Sequence, residues 1–165
     1  MITRGDELAG AVFDVTTRYR YQLWRRHNPG QPTILWVMLN PSTADEAQLD
    51  PTLRRCKAYS YAWGFQNWEV CNLFAFRATR PADMKAAADP VGPDNDRLIL
   101  QAAARAGQIM LGWGVHGTFL GRDRSVVQLL RTTGKPLWCL KQVGPLAQPA
   151  HPLYLPADTP ARHYR

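Results

Sequence analysis

The sequence has little cysteine and little histidine, and it lacks the glycine patterns that mark the commonest nucleotide sites. Its three cysteines, Cys56, Cys71 and Cys139, are odd in number and show no Cys-x-x-Cys spacing, so neither a disulfide framework nor a zinc site is signalled. All three sit in apolar stretches, and buried free thiols in a reducing compartment are expected. No apolar run reaches the about 18 residues that a helical membrane span needs. The first residues, Met1-Ile2-Thr3-Arg4-Gly5-Asp6, lack the apolar core of a signal peptide. A cytoplasmic protein is therefore expected. Neither Gly-x-x-x-x-Gly-Lys-Ser/Thr nor Gly-x-Gly-x-x-Gly occurs, which argues against a P-loop enzyme and a dinucleotide-binding one. Ser42 lacks the Gly-x-Ser-x-Gly elbow of a serine hydrolase.

What is present is a basic, aromatic-rich chain of ordinary apolarity. Its 165 residues fit one domain, 1–165, large enough to bury a core without staples. Twenty Lys and Arg against 13 Asp and Glu give a net charge of +7. That balance favours polyanionic partners by raising their local concentration. Six Trp, six Tyr and five Phe can fill a core or stack on bases and sugars.

Residues 11–26 read as extended, with Tyr19, Tyr21 and Leu23 alternating with Arg18, Arg20 and Gln22. His27-Asn28-Pro29-Gly30-Gln31-Pro32 is a dense turn signal. An N-terminal antiparallel hairpin over about 11–39 is expected. Its second half, Thr33 to Leu39, is an apolar run suited to a central parallel strand. Asp50-Pro51 offers a helix cap and a first-turn proline for a helix over 51–63, with Gly64 as its stop. Strands are read at 68–73, 108–111 and 137–140, and helices at 81–88, about 94–105 and about 122–132. A Pro- and His-containing tail over about 141–165 is expected on the surface. Strands alternating with helices predict an α/β three-layer sandwich around a four-stranded parallel sheet with right-handed crossovers.

In open α/β sheets, ligands bind beyond the carboxyl ends of the strands. Those ends carry Asn40-Pro41-Ser42-Thr43, then Asn72-Leu73-Phe74-Ala75-Phe76-Arg77, then Gly112-Trp113-Gly114-Val115-His116, then Lys141-Gln142-Val143-Gly144, with His151-Pro152 shortly after. Four such clusters on one rim predict a pocket. Each residue also has a plainer reading. Asn40 and Ser42 are common in turns, Asn72 could cap a strand, Gly112 and Gly114 could serve a tight turn, and His151 could be a surface histidine. Asp50 reads best as a helix cap, while Asp45 is freer to act as a base or bind a metal. Arg18, Arg20, Arg25 and Arg26, with Tyr19, Tyr21 and Trp24 between them, could track a phosphate backbone or form a solvated strand face over core aromatics.

The strings Met38-Leu39-Asn40-Pro41-Ser42-Thr43-Ala44-Asp45, Asp50-Pro51-Thr52, Asn72-Leu73-Phe74-Ala75-Phe76-Arg77-Ala78-Thr79 and Pro90-Val91-Gly92-Pro93-Asp94-Asn95-Asp96 resemble a family of short bacterial and phage proteins filed as domain of unknown function 1643. That family has no settled activity. More remotely, the motif order is similar to the uracil-DNA glycosylase superfamily, with Leu39-Asn40-Pro41-Ser42, Val70-Cys71-Asn72-Leu73 and His151-Pro152-Leu153 in the places of its water-positioning, base-reading and late histidine segments. The resemblance implies a uracil-DNA glycosylase-like fold and base excision of the kind used in DNA repair. In that scheme the target base is extruded into a pocket. Asn72 reads its edge, Phe74 or Phe76 stacks on the ring, and Asn40 with Asp45 holds the attacking water. His151 stabilises the departing base. Pro41, Ser42, Thr43, Gly112 and Gly114 shape the site, and Arg77 and Lys141 hold phosphate. Residue 40 is Asn where the most active members carry Asp, and an amide orients water but is a poor base. Three cysteines cannot supply four iron–sulfur ligands.

The leading expectation is a nucleobase-directed hydrolase, most concretely a DNA N-glycosylase excising uracil or a modified base. It would work as a monomer on DNA or a nucleotide, with no metal, no cofactor and no membrane. Two alternatives stand beside it: a metal-dependent enzyme acting on modified nucleotides through Asp45 and Asp94, and a non-catalytic DNA-binding module.

Overall fold

The computed structural model describes residues 1–43 and 47–165. Three antiparallel strands open the chain: β1 (Ile2–Gly5), β2 (Ala9–Phe13) and β3 (Arg20–Arg26). Short aspartates build the turns between them. The Asp6 carboxylate accepts from the N–H groups of Leu8 and Ala9 at 2.8 and 3.0 Å, and that of Asp14 accepts from Thr16 and Tyr19 at 3.1 and 3.0 Å. Then follow β4 (Thr33–Met38), α1 (Pro51–Ala62), β5 (Asn67–Asn72), α2 (Pro81–Lys85), α3 (Asn95–Arg105), β6 (Gln108–Leu111), a 3-10 stretch Val115–Gly121, α4 (Arg122–Arg131) and β7 (Leu137–Cys139). The C-terminal segment carries β8 (Gln142–Val143), β9 (Gln148–Pro149), a 3-10 turn Pro152–Tyr154 and β10 (Arg162–His163).

The sheet has eight strands in the order β1-β2-β3-β5-β4-β6-β7-β10, larger than the four-stranded sheet read from sequence. Its middle, β5-β4-β6-β7, is parallel, and β3 and β10 close it on either side with antiparallel pairing. The hairpin expected over 11–39 is not formed, because β5 inserts between β3 and β4. Buried Asn67 holds the connecting loop in place. Its Nδ2 donates to the carbonyls of Asn28 and Gln31 at 2.5 and 2.8 Å, and its Oδ1 accepts from the Asn28 N–H at 3.1 Å. The tail does more than cover the surface. Its β10 pairs with β7, and His163 stacks on Trp138 with centroids 3.9 Å apart.

The apolar run of β4 is buried on both faces, as its composition predicts. Ile34, Trp36 and Met38 point to one side, where α1 supplies Leu53, Cys56 and Tyr59. Leu35 and Val37 point to the other, with Ile99 and Ala102 of α3 and Val126 and Leu130 of α4. The result is three layers, helix on sheet on helix. Asp50 caps α1 by accepting from the Leu53 N–H at 2.8 Å, and Gly64 (φ +85°) ends that helix region in the left-handed conformation. The three cysteines are free and buried, and burial pushes all three thiols up in pKa. No helix among the described residues is long and apolar enough to cross a membrane.

Candidate active site

All four parallel strands end on the same cavity, about 750 Å³ in volume. Asn40, Pro41 and Ser42 line it after β4, Asn72 at the end of β5, Trp113 and Gly114 after β6, and Lys141 after β7. His151 and the turn that follows form a further wall, and Met38, Val70 and Leu53 give the cavity an apolar floor against α1.

Asn40 is anchored by its own amide. Its Nδ2 donates to the carbonyls of Pro41 and Ala78 at 3.1 and 2.9 Å. Both partners can only accept, so the amide orientation is set and Oδ1 is the atom left over. Asn72 differs. On β5 it alternates onto the same face as Trp68 and Val70, it is 3% exposed, and its side chain bonds to no described residue. The amide opens onto the cavity, where water or a ligand can satisfy it.

The backbone beneath Asn72 is held firmly. Asn95 Nδ2 donates to the carbonyls of Asn72 and Leu73 at 2.9 and 3.0 Å. Arg122 donates to the Leu73 carbonyl through Nε and Nη2 at 3.1 and 2.9 Å, and its Nη2 also pairs with Asp96 at 2.7 Å.

His151 Nδ1 accepts from the Leu153 N–H at 3.2 Å, so the neutral ring carries its proton on Nε2. Burial lowers the His151 pKa below the ordinary value of 6.5, partly offset by the Asp50 carboxylate. The ring is thus a neutral donor at neutral pH.

Several expected site residues lie elsewhere. Phe74 is fully buried in the core beside Phe119, centroids 5.7 Å apart, and Phe76 meets the edge of Tyr19 at 5.8 Å. The chain turns into the α3–α4 layer once β5 ends, which carries both rings away from the cavity. Arg77 braces two loops, donating to the carbonyls of Thr17 and Thr43 at 3.0 and 3.1 Å, and its guanidinium lies over the Phe13 ring. Exposed Thr43 shares a 3.1 Å hydrogen bond with Thr79 and is not part of the lining. Gly112 lies behind the wall. A Cβ there would stand 3.0 Å from Met38 Sδ and 3.3 Å from Pro152 Cδ, so the glycine permits close packing under the floor. Asp94 pairs with Arg97 at 3.0 Å, away from the cavity. Asp45 lies outside the described residues. Among the described residues no group of three or more His, Cys, Asp or Glu could hold a metal.

Other side chains enter that the strand-end reading did not single out. Trp113 contributes to the lining while its indole is 1% exposed and packed in the core cluster of Phe74. Its Nε1 donates to Gln148 Oε1 at 2.8 Å, and Gln148 in turn donates to Asp123 at 3.1 Å. His116 lines the mouth with its Nδ1 held by Lys85 Nζ at 3.1 Å. Tyr154, 84% exposed, stands at the rim. Arg20 is 3% exposed and lines the cavity, which overturns its reading as part of a solvated strand face. No local signal marks this burial, because β3 is interior to the sheet only through its pairing with the distant β5.

The sequence pattern described as a protein of unknown function (DUF1643) matches residues 20–153. The chain belongs to that family. No curated protein and no solved structure matches it. The DUF1643 match begins at Arg20 and ends at Leu153, so it takes in the cavity walls and leaves out only Tyr154 and Leu155 of the lining. Within this DUF1643 chain the segment Pro90–Asp96 touches no cavity surface and instead supplies Asn95 as the brace under Asn72.

Proposed function

We propose that this protein is a nucleobase-directed enzyme, most concretely a DNA N-glycosylase that excises uracil or a modified base. The observation that carries the reading is Asn72: a 3% exposed residue whose amide has no hydrogen-bond partner among the described residues and opens onto a cavity at the strand ends. An amide offers one acceptor and two donors side by side, which matches the hydrogen-bonding edge of a base. A base must leave the stack to meet it. The order of Asn40, Asn72 and His151 along the chain and around one cavity supports a uracil-DNA glycosylase-like arrangement.

In this scheme Asn72 holds the base edge. Asn40 Oδ1 orients a water at the sugar C1′. The water oxygen bonds to C1′ as the C1′–N bond breaks, and the bonding pair leaves with the base. His151 Nε2–H donates to the developing negative charge. The proton lost by the water ends on the released base, so no oxidant or cofactor enters the balance. Asn40 cannot serve as a strong base, and the scheme therefore depends on base departure more than on water deprotonation.

Oligonucleotides carrying uracil or a panel of modified bases, single- and double-stranded, provide the test. Release of a free base by the wild-type chain, lost in Asn72→Ala, is the expected result. Complete inactivity over the panel would overturn the reading.

A further inference from the structure

The cavity contains a cation that the base-excision scheme does not use. Arg20 lies on β3, the strand next to β5, and is nearly fully buried on the cavity wall. Its backbone is pinned by an N–H bond to the Ala75 carbonyl at 3.0 Å. A guanidinium stays charged at any physiological pH and carries five donors in a planar fork, so a protein partner still leaves donors for a ligand.

The neighbouring polar groups lean the same way. His151 Nδ1 is occupied by the Leu153 N–H, which leaves Nε2–H as the free ring position. Lys85 can only donate, so its contact makes His116 Nδ1 the acceptor and leaves Nε2–H there too. Lys141 adds an ammonium at the exposed edge. Against these stands the Asp50 carboxylate, already engaged with the Leu53 N–H. A donor-rich wall around a buried guanidinium suits an anion with several acceptor oxygens, and phosphate is the planar fork's favoured partner.

We infer that Arg20 forms a phosphate subsite, so that the cavity takes a whole nucleotide, with its base on Asn72 and its phosphate on the Arg20 guanidinium. Neighbouring strands lie about 4.8 Å apart, which puts both groups within reach of one such ligand. The base half of this assignment rests on the nucleobase reading above; the phosphate half rests on Arg20 alone. The phosphate can belong to a free mononucleotide or to a nucleic-acid backbone.

Calorimetric titration of the full chain with deoxyuridine, deoxyuridine 5′-monophosphate and a short single-stranded oligonucleotide containing deoxyuridine tests it. A charge-assisted fork should make at least one phosphate-bearing ligand bind about tenfold or more tighter than the nucleoside. Arg20→Gln should bring that ratio close to unity, and Arg20→Lys should restore part of it. Inorganic phosphate should compete with the phosphate-bearing ligand and not with the nucleoside, a readout that stands even where Arg20→Gln fails to fold. Preference for the mononucleotide identifies a free nucleotide as the source, and preference confined to the oligonucleotide identifies the backbone. Equal binding of nucleoside and both phosphate-bearing ligands overturns the inference, as does a ratio that survives in folded Arg20→Gln or binding of none of the three. Base release without Arg20-dependent discrimination sinks the subsite and leaves the glycosylase reading standing. Discrimination without base release does the reverse.

Discussion

The side chain of Asn95 brackets the end of β5 from behind, with Nδ2 donating at 2.9 Å to the carbonyl of Asn72 and at 3.0 Å to that of Leu73. The residue that faces the cavity and the residue that fixes its backbone are thus different asparagines, 23 positions apart. Substitution separates their roles. Asn95→Ala removes two bonds from buried carbonyls, of which Leu73 keeps its Arg122 partner, and should cost about 1–2 kcal/mol. Asn95→Asp should cost more, because a carboxylate puts acceptors against acceptors. Urea denaturation of the three chains measures the order. If Asn95→Asp is as stable as wild type, the bracketing amide is not holding the strand end.

Asn72 and Asn40 should respond in opposite ways. The Asn72 side chain has no hydrogen-bond partner among the described residues, so Asn72→Ala should leave stability within about 1 kcal/mol of wild type while ligand binding falls. Asn40→Ala deletes two hydrogen bonds to loop carbonyls and should cost about 1–2 kcal/mol. Parallel denaturation curves decide between them. A large stability loss in Asn72→Ala would assign that amide a structural task instead of a ligand-facing one.

The strand ends, the helix cap at Asp50 and the parallel middle of the sheet were legible because their signals are local. A continuous apolar run, an Asp-Pro pair and a strand-ending asparagine each carry their own physical reason. What was not legible depends on pairing at a distance. Nothing local states that β5 slides between β3 and β4, so nothing local states that Arg20 is covered on both sides. The two-residue β10 is too short for any periodicity, and β1 reads as an unremarkable N-terminus. Phe74 and Phe76 were misassigned for a related reason: they follow Asn72 closely in sequence, yet the turn after β5 sends them into the opposite layer.

His151 predicts a pH dependence with a definite sign. Burial lowers its folded pKa below the unfolded value, so the unfolded chain binds the proton more readily. The stability associated with the neutral ring is fully present above the ordinary histidine pKa of 6.5 and declines as pH falls from there through the lowered folded value. Protonation also places a proton on Nδ1 and ends its acceptance from the Leu153 N–H. His151→Gln should flatten the acid limb of a melting-temperature profile between about pH 5 and 7. An acid limb unchanged in His151→Gln would assign that dependence to another group.

The packing of Trp113 depends on a glycine. At Gly117 an added Cβ would stand 2.1 Å from Trp113 Cδ1 and 2.5 Å from its Nε1, nearer than any real contact allows. The indole has little freedom to yield, since it is 1% exposed and its N–H is committed to Gln148 at 2.8 Å. Gly117→Ala should therefore cost about 1–3 kcal/mol through overpacking. The penalty should shrink in a Trp113→Phe background, where the smaller ring vacates part of that space. Two residues in such contact are expected to show a coupling of about 0.5–3 kcal/mol in a double-mutant cycle. Because Trp113 contributes to the lining, Gly117→Ala should also weaken the nucleotide binding proposed above, although residue 117 itself is not part of the lining. Additive stabilities together with unchanged binding would mean that Trp113 accommodates the methyl group without moving, and that the glycine is not what sets the position of the indole.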